Sequence, residues 1–400
     1  MNYIIFEDKN FKSLDPISDL HPAFELRTGA FTNIERILSQ ISMDDSIQLY
    51  VRDEIEELIR DKYPEIDVNP EIFNPGIYIN GASICYLDDF KNLDSNRSYS
   101  NSKGLVTFTH DEKINKEKIN GLIDTQSTIS SRLSVDSIEY LWDTFDVLAD
   151  TIKKDFSLLY DYNNGNLHPS CILIKEDNII INNNAKILAG SVLDASNGPI
   201  IIDEDASLDI GALIKGPVYI GKGSIINPGA KIIGPVSIGP FCKVGGEIED
   251  SIIQGFSNKQ HDGFLGHSYI GEWVNLGANT NTSDLKNNYS NVRVALSHDN
   301  QIETEKMFIG SIIGDFSSTA ISTKLNTGTY VGVGSNIFNH IFEKKHIPPF
   351  SWGNNEKVGL NRFIKKCQTI MRRRDKDLSE ALKNRLITLW KEESIKDTLE

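Results

Sequence analysis

The sequence predicts a β-solenoid set between a mixed α/β domain and a terminal helix, and three observations predict it. An aliphatic residue returns at every sixth position through the middle of the chain. The first third shows strand and helix spacings without that repeat, and the last segment carries a leucine stripe at helical intervals.

The repeat runs through Ile214, Ile220, Ile226, Ile232, Ile238 and Val244, with Gly221, Gly239 and Gly245 directly behind three of them. It resumes at Phe264, Ile270 and Leu276, and again at Ile313, Leu325, Val331 and Ile337. A period of six fits neither a helix nor an alternating strand. Each hexad supplies one short strand and one turn, and three hexads close a triangular coil: a left-handed parallel β-helix of hexapeptide repeats. The aliphatic side chains point inward and stack coil on coil, each worth roughly 1.5–3 kcal/mol before entropy. Small residues behind them admit the corners. This continuous stack predicts that residues 166–400 fold and associate on their own.

Three interruptions break the repeat, and loops projecting from a rigid scaffold are where chemistry is placed. Residues 245–250 shift the register by two. The polar run 257–263 puts Asn258 at the inward position. A long excursion rich in Asn, Ser and charge spans about residues 283–306.

Ahead of the solenoid, residues 1–165 read as α/β, with strands expected at 3–6 and 76–79 and helices at 33–41, 47–58 and 137–152. Asn163, Asn164, Gly165 and Asn166 mark a linker. The solenoid occupies 166–353, closed by Pro348, Pro349 and Trp352-Gly353. Residues 354–400 are helical, with Leu378, Leu382, Leu386, Leu389 and Trp390 on one stripe.

Composition narrows the function. A net charge of −15 argues against nucleic-acid binding by the bulk surface. The four cysteines never form a C-x-x-C pair, so neither a zinc site nor a disulfide framework is indicated, and a reducing cytoplasm fits best. Charges follow the first apolar residues too soon for a signal peptide, and no stretch approaches a membrane span, so no membrane partner is expected.

The run from Gly263 to Ala278, Gly-Phe-Leu-Gly-His-Ser-Tyr-Ile-Gly-Glu-Trp-Val-Asn-Leu-Gly-Ala, resembles the acetyltransferase half of the bifunctional enzyme that makes UDP-N-acetylglucosamine. That family has a catalytic His fourteen residues before an Asn, the spacing of His261 and Asn275. The segments Val244-Gly245-Gly246-Glu247, Ser257 to Gly266 and Leu285 to Tyr289, with Pro22-Ala23-Phe24-Glu25-Leu26-Arg27-Thr28-Gly29, are similar to bacterial sugar nucleotidyltransferase relatives of that enzyme.

The resemblance implies acyl transfer, acetyl in the first place, from acetyl-CoA to an amino sugar phosphate or nucleotide sugar. His261 would be the general base, a role worth about 10²–10⁴-fold in rate. Asn275 would position the amine or the base. Ala278 and Ser311 would line the path of acetyl-CoA. Lys286, with Asn287 and Tyr289, and Lys259 would meet the sugar phosphate, with Arg27 as a phosphate contact in the first domain. The resemblance also implies a homotrimer. Two departures stand out: the family's phosphate-binding Lys falls on Glu249, reversing the charge, and its substrate-contacting Tyr is Phe264.

The first domain departs further. Its first strand runs into Glu7-Asp8-Lys9-Asn10-Phe11-Lys12, with none of the Gly-rich loop that cradles nucleotide phosphate. No metal site is assigned, and Mg²⁺ enters only if this domain is active, with Asp88 and Asp89 as candidates. The alternatives are a sugar-1-phosphate nucleotidyltransferase, and a non-catalytic sugar-nucleotide-binding regulator or scaffold.

Overall fold

A computed structural model describes residues 1–127, 131–159, 165–297, 300–339, 342–353 and 356–399, so that Asn163 and Asn164 of the expected linker lie outside the described residues. The apolar run at the N-terminus forms the strand Asn2–Phe6 within a seven-stranded sheet, paired in parallel with Ser46–Tyr50 and Gly76–Asn80. Tyr3, Ile4, Ile5 and Phe6 are all buried, as a central parallel strand covered on both faces requires.

The helix Asn33–Leu38 opens on a Thr32–Glu35 capping box. Two other expected helices shift. Residues 47–58 divide into the strand Ser46–Tyr50 and the helix Glu56–Lys62, because Leu49 and Val51 pack into the sheet while Ile55 and Ile59 alone keep a buried helical spacing. The helix expected from residue 137 begins at Thr144, since Ser137 is held in a bridge to Ser83 through hydroxyls 2.8 Å apart.

The middle of the chain is a left-handed parallel β-helix of three faces. Strands such as Ile225–Ile226, Lys243–Val244 and Asn258–Lys259 stack on the first face. Leu213–Lys215, residues 231–233 and 247–249, and Phe264–Gly266 stack on the second. Val218–Ile220, Tyr269–Glu272, Ser311–Ile313 and Thr329–Val331 belong to the third. The repeat residues from Ile214 to Val244, with Ile270, Leu276, Ile313, Leu325, Val331 and Ile337, form one inward core.

The register departs from expectation in two places. Leu265, rather than Phe264, stacks inward on Ile248, and Lys259, rather than Asn258, takes the inward place above Val244. The cause is a corner one residue short of a hexad between Leu265 and Ile270, so that counting back by six from Ile270 lands one residue early. At the corner between the third and first faces, Phe241, Phe256, Trp273 and Phe316 all adopt φ between 52° and 61°. Side chains other than Gly are uncommon there. Their rings stack at centroid spacings of 5.3, 4.4 and 6.3 Å, which offsets the backbone cost.

The solenoid shares a core with the first domain, which weighs against the expectation that residues 166–400 fold alone. Ile201, Tyr219, Ile252, Tyr269, Ile312 and Tyr330 point outward from the third face into a shared core with Ile17, Leu26, Trp142, Leu148 and Ile152. Residues 22–29 form the buckle between the two domains. Arg27 is buried, donating from Nε to Gln254 O at 3.2 Å and from Nη1 to Ala30 O at 2.8 Å. Ser237 Oγ donates to Gly29 O at 2.6 Å.

Just before that segment, His21 bridges Glu25 and Asp315 at 2.7 Å on each ring nitrogen. The helix Leu360–Arg372 buries Phe363, Cys367 and Met371 against Phe316 and Phe350, and Leu386 and Leu389 of the helix Glu380–Leu399 join the same cluster. Among the described residues no helix is long and apolar enough to cross a membrane.

Candidate active site

The strand Phe264–Gly266 crosses the second face, and a histidine lies just beyond each end. His261 is exposed at the corner between the first and second faces. Its carbonyl accepts a hydrogen bond from Lys259 Nζ at 2.5 Å, and the same ammonium donates to Gly245 O at 3.2 Å. Lys259 is thus a buried clamp on the corner, not the expected substrate contact. Burial pushes its ammonium down to about 8, with Asp262 opposing.

His267 occupies the corner between the second and third faces at φ 41°. Its Nδ1 donates to Asp284 Oδ2 at 2.9 Å, and its Nε2 lies 3.8 Å from Asp250 Oδ2. The ring stacks on Phe308 at 5.1 Å and meets Phe145 edge-on at 6.3 Å. Gly266 makes the arrangement possible: a Cβ there would meet the Phe264 ring at 2.6 Å and the Asp284 carboxylate closer still. Glu249 lies on the same face, in register with Gly266. Burial pushes its carboxyl up, and the neighbouring charges of Glu247, Asp250 and Asp284 push it further. Asp250 is raised in the same way, by burial and then by Asp284.

The surface therefore carries an imidazole at each end, a half-buried aromatic between, and a row of carboxylates along one edge. His267 and Asp284 were not singled out in the sequence. The signal that could have found them is a histidine at a corner facing an acid at the start of the excursion.

The other expected residues are dispersed. Asn275 lies exposed on the first face, where its Oδ1 accepts from Asn258 Nδ2 at 3.2 Å, and Arg374 donates to that same Asn258 at 2.8 Å. Ala278 is half-buried at the His261 corner, its carbonyl accepting from Ser322 N at 2.7 Å. Ser311 is fully buried inside the coil, its N–H donating to Ser268 Oγ at 2.9 Å, so a donor passing outside the solenoid does not reach its side chain. Lys286 sits in the excursion with its ammonium on Ser290 and the Asn291 carbonyl, beside the exposed Asn287 and Tyr289. Arg27, saturated inside the domain buckle, faces no open site.

In the first domain, the crevice at the strand ends where the order of the sheet reverses is the usual ligand position of an α/β fold. Here the chain fills it. Phe24 lies against Gly81, where a Cβ would meet Phe24 Cβ at 2.8 Å. Ala23 N donates to Glu7 Oε1 at 3.3 Å, and Arg52 pairs with Glu7 at 2.5 Å. Asp88 pairs with Lys91 at 2.8 Å and Asp89 accepts from Tyr86 N at 2.8 Å, so both acids are engaged locally. Among the described residues no group of three or more His, Cys, Asp or Glu is arranged to hold a metal ion. A cleft of about 990 Å³ lies at the far end of the solenoid between Phe11, Arg52, Tyr330, His346 and Arg385, away from the strand that carries the two histidines.

Residues 3–163 match the family model described as sugar nucleotidyl transferase. Among curated proteins none matches. Solved structures similar to this chain include the UDP-N-acetylglucosamine acyltransferase from Campylobacter jejuni, at 17% identity and a TM-score of 0.33, covering 55% of this chain and 81% of that one. The Arabidopsis UDP-N-acetylglucosamine acyltransferase is 14% identical with a TM-score of 0.26, over 52% of this chain and 75% of its own. That of Francisella novicida is 13% identical with a TM-score of 0.20, over 54% and 76%.

Proposed function

We propose that the chain transfers an acyl group, acetyl in the simplest case, from acyl-CoA to the amine of an amino sugar phosphate or nucleotide sugar bound on the second face of the solenoid. The observation that carries this reading is the surface over Phe264–Gly266, with an exposed His261 at one corner and the His267–Asp284 pair at the other.

His261 is the base in this proposal. Its imidazole faces solvent, whereas both ring nitrogens of His267 face carboxylates at 2.9 and 3.8 Å and its ring is packed between Phe308 and Phe145. The chemistry asked of His261 is removal of one proton from the amine as its lone pair attacks the thioester carbonyl. The thiolate of coenzyme A then leaves and takes up a proton. His267 and the carboxylates beside it would hold the sugar in place.

Nucleotidyl transfer by the first domain is disfavoured, because its crevice is filled by Phe24 and by the Glu7–Arg52 pair. A homotrimer in a reducing cytoplasm completes the proposal. It is supported by the second face, where the apolar Ile172 and Leu213 are 56% and 45% exposed.

The test is thiol release from acetyl-CoA with a panel of amino sugar phosphates and nucleotide amino sugars. His261→Ala should lower turnover by about 10²-fold or more. Intact transfer in that variant together with lost transfer in His267→Ala would move the base to the other corner. Absence of transfer to every acceptor by the unaltered protein would leave a binding or scaffold role.

A further inference from the structure

The inward row of the closing coils ends on a charge. Leu325, Val331 and Ile337 hold inward positions six residues apart, and the next step of six falls on Glu343. An aliphatic side chain there would close the end of the core. Glu343 is nonetheless as buried as its neighbours, at 6% exposure, and its N–H donates to Lys324 O of the preceding coil at 3.2 Å. Its Oε2 accepts from Asn339 Nδ2 at 2.6 Å. Its Oε1 is buried with no hydrogen-bond partner among the described residues. A carboxylate that loses water without gaining a donor costs free energy, which is why fully buried acids are almost always paired.

Glu343 lines the cleft of about 990 Å³ that lies between the first domain, the closing coils and the helix Glu380–Leu399, a volume suited to a small molecule. Beside it the buried Ile337 and Ile347 give an apolar wall, and the Tyr330 ring, stacked on His346 at 5.1 Å, gives another. The two guanidinium groups of the cleft are engaged. Arg52 pairs with Glu7 at 2.5 Å and covers the Phe11 ring at 4.3 Å, and Arg385 donates to Asp19 O at 3.1 Å. Seven acidic side chains line the cleft against five of Lys and Arg. The Tyr330 hydroxyl registers that excess: burial pushes it up first, and Asp15, Asp19 and Glu393 push it further. An anionic ligand would meet surplus acids, whereas a cationic donor meets the unpartnered oxygen.

We propose that this cleft binds a small organic amine, its ammonium seated on the Glu343 carboxylate and its hydrocarbon body against Ile337 and Ile347. A bound amine touches the first domain, the last coil and the last helix together, so binding stabilises the packing of all three. The site lies away from the strand that carries the two histidines and requires no acyl transfer.

The experiment is titration calorimetry on the full chain with two amines of different body, hexylamine and tyramine, and with 1-hexanol and hexanoate. Hexylamine, hexanol and hexanoate share a body and differ in the head group, so their comparison needs no variant. Hexylamine should bind about tenfold or more tighter than hexanol, the worth of one charge-assisted hydrogen bond, and hexanoate should bind weakest. Glu343→Gln keeps the shape of the side chain and an acceptor for Asn339, and should weaken amine binding about tenfold or more by the same reasoning. Glu356→Gln, at an exposed acid on the rim, should leave it nearly unchanged. Melting of the ligand-free Glu343→Gln protein should be unchanged or raised, because a buried unpaired charge is removed, and hexylamine should raise the melting temperature of the unaltered protein more than that of the variant. Equal affinity for hexylamine and hexanol, unaltered amine affinity in Glu343→Gln, or no binding of either amine at millimolar concentration overturns the proposal. Should Glu343→Gln fail to fold, the head-group comparison on the unaltered protein still decides it.

Discussion

Replacing Arg27 with alanine separates a structural buckle from a phosphate contact. Its guanidinium donates to Gln254 O and Ala30 O, reaches Glu35 at 3.4 Å and lies 5.6 Å above the Tyr219 ring. Burial alone would disfavour the charge, and the fields of Glu35, Tyr219, Tyr269 and Cys242 together outweigh it. Removal leaves two buried carbonyls without a donor, each charge-assisted bond being worth about 1.5–3 kcal/mol. The ring contact adds about 0.5–2 kcal/mol. Glu35 is 48% exposed, so its share is discounted for solvent screening.

These terms amount to about 3.5–8 kcal/mol; because they are not additive within one side chain, Arg27→Ala should cost toward the lower end, about 3–5 kcal/mol, the range of other broken buried pairs. Arg27→Lys should recover only part, because one ammonium does not span both carbonyls. Urea unfolding followed by circular dichroism measures the loss. A loss below about 1 kcal/mol, accompanied by weakened sugar-phosphate binding, would refute the buckle and return Arg27 to the ligand.

Three further outcomes are expected. Burial opposes the charge of His21, but Asp315 and Glu25 raise it to about 10. Because this folded value lies above the ordinary 6.5, the stabilisation is complete below pH 6.5 and is lost as pH climbs toward 10. Melting temperature should fall across that window, and His21→Gln should flatten the slope. Gly266→Ala should displace Phe264 or Asp284 and loosen His267, costing about 1–3 kcal/mol by overpacking, which chemical denaturation would measure alongside the loss of acyl transfer. Residues 166–400 expressed alone should aggregate, because the outward row from Ile201 to Tyr330 loses its cover. A soluble fragment of defined size with native circular dichroism would contradict that.

The inward stack was legible because one physical demand, an apolar side chain at each short strand, repeats every six residues from Ile214 to Val244. Legibility ended where a corner changed length. The short turn between Leu265 and Ile270 moves Phe264 outward and Lys259 inward, and periodicity alone does not show where a hexad has lost a residue. The outward faces were less legible still. Tyr219 and Tyr269 read as ordinary hexad residues, yet they anchor the first domain. Arg27 was given a phosphate only by the resemblance of its segment, and three-dimensional placement shows the guanidinium closed over by Gln254 and Ala30. His267 was hidden for a similar reason: its partner Asp284 is 17 residues away and belongs to the excursion.

The cover on each face limits how a substrate can approach. The third face is sealed by the first domain, and the first is crossed by the C-terminal segment, through Arg374 on Asn258 and Lys366 on Asn336 at 3.0 Å. That leaves the second face open where His261 and His267 flank Phe264. Asn275 is exposed on the far side of the His261 corner, its Oδ1 held by the Asn258 amide that Arg374 also contacts, so its freedom to serve an acceptor is tied to that contact. The C-terminal segment would then act on the site indirectly, through the freedom of Asn275. Arg374→Ala separates the two cases by how it divides between KM and kcat. A change in acceptor KM with kcat held places Asn275 at the acceptor, and no change in either places it in the solenoid wall alone.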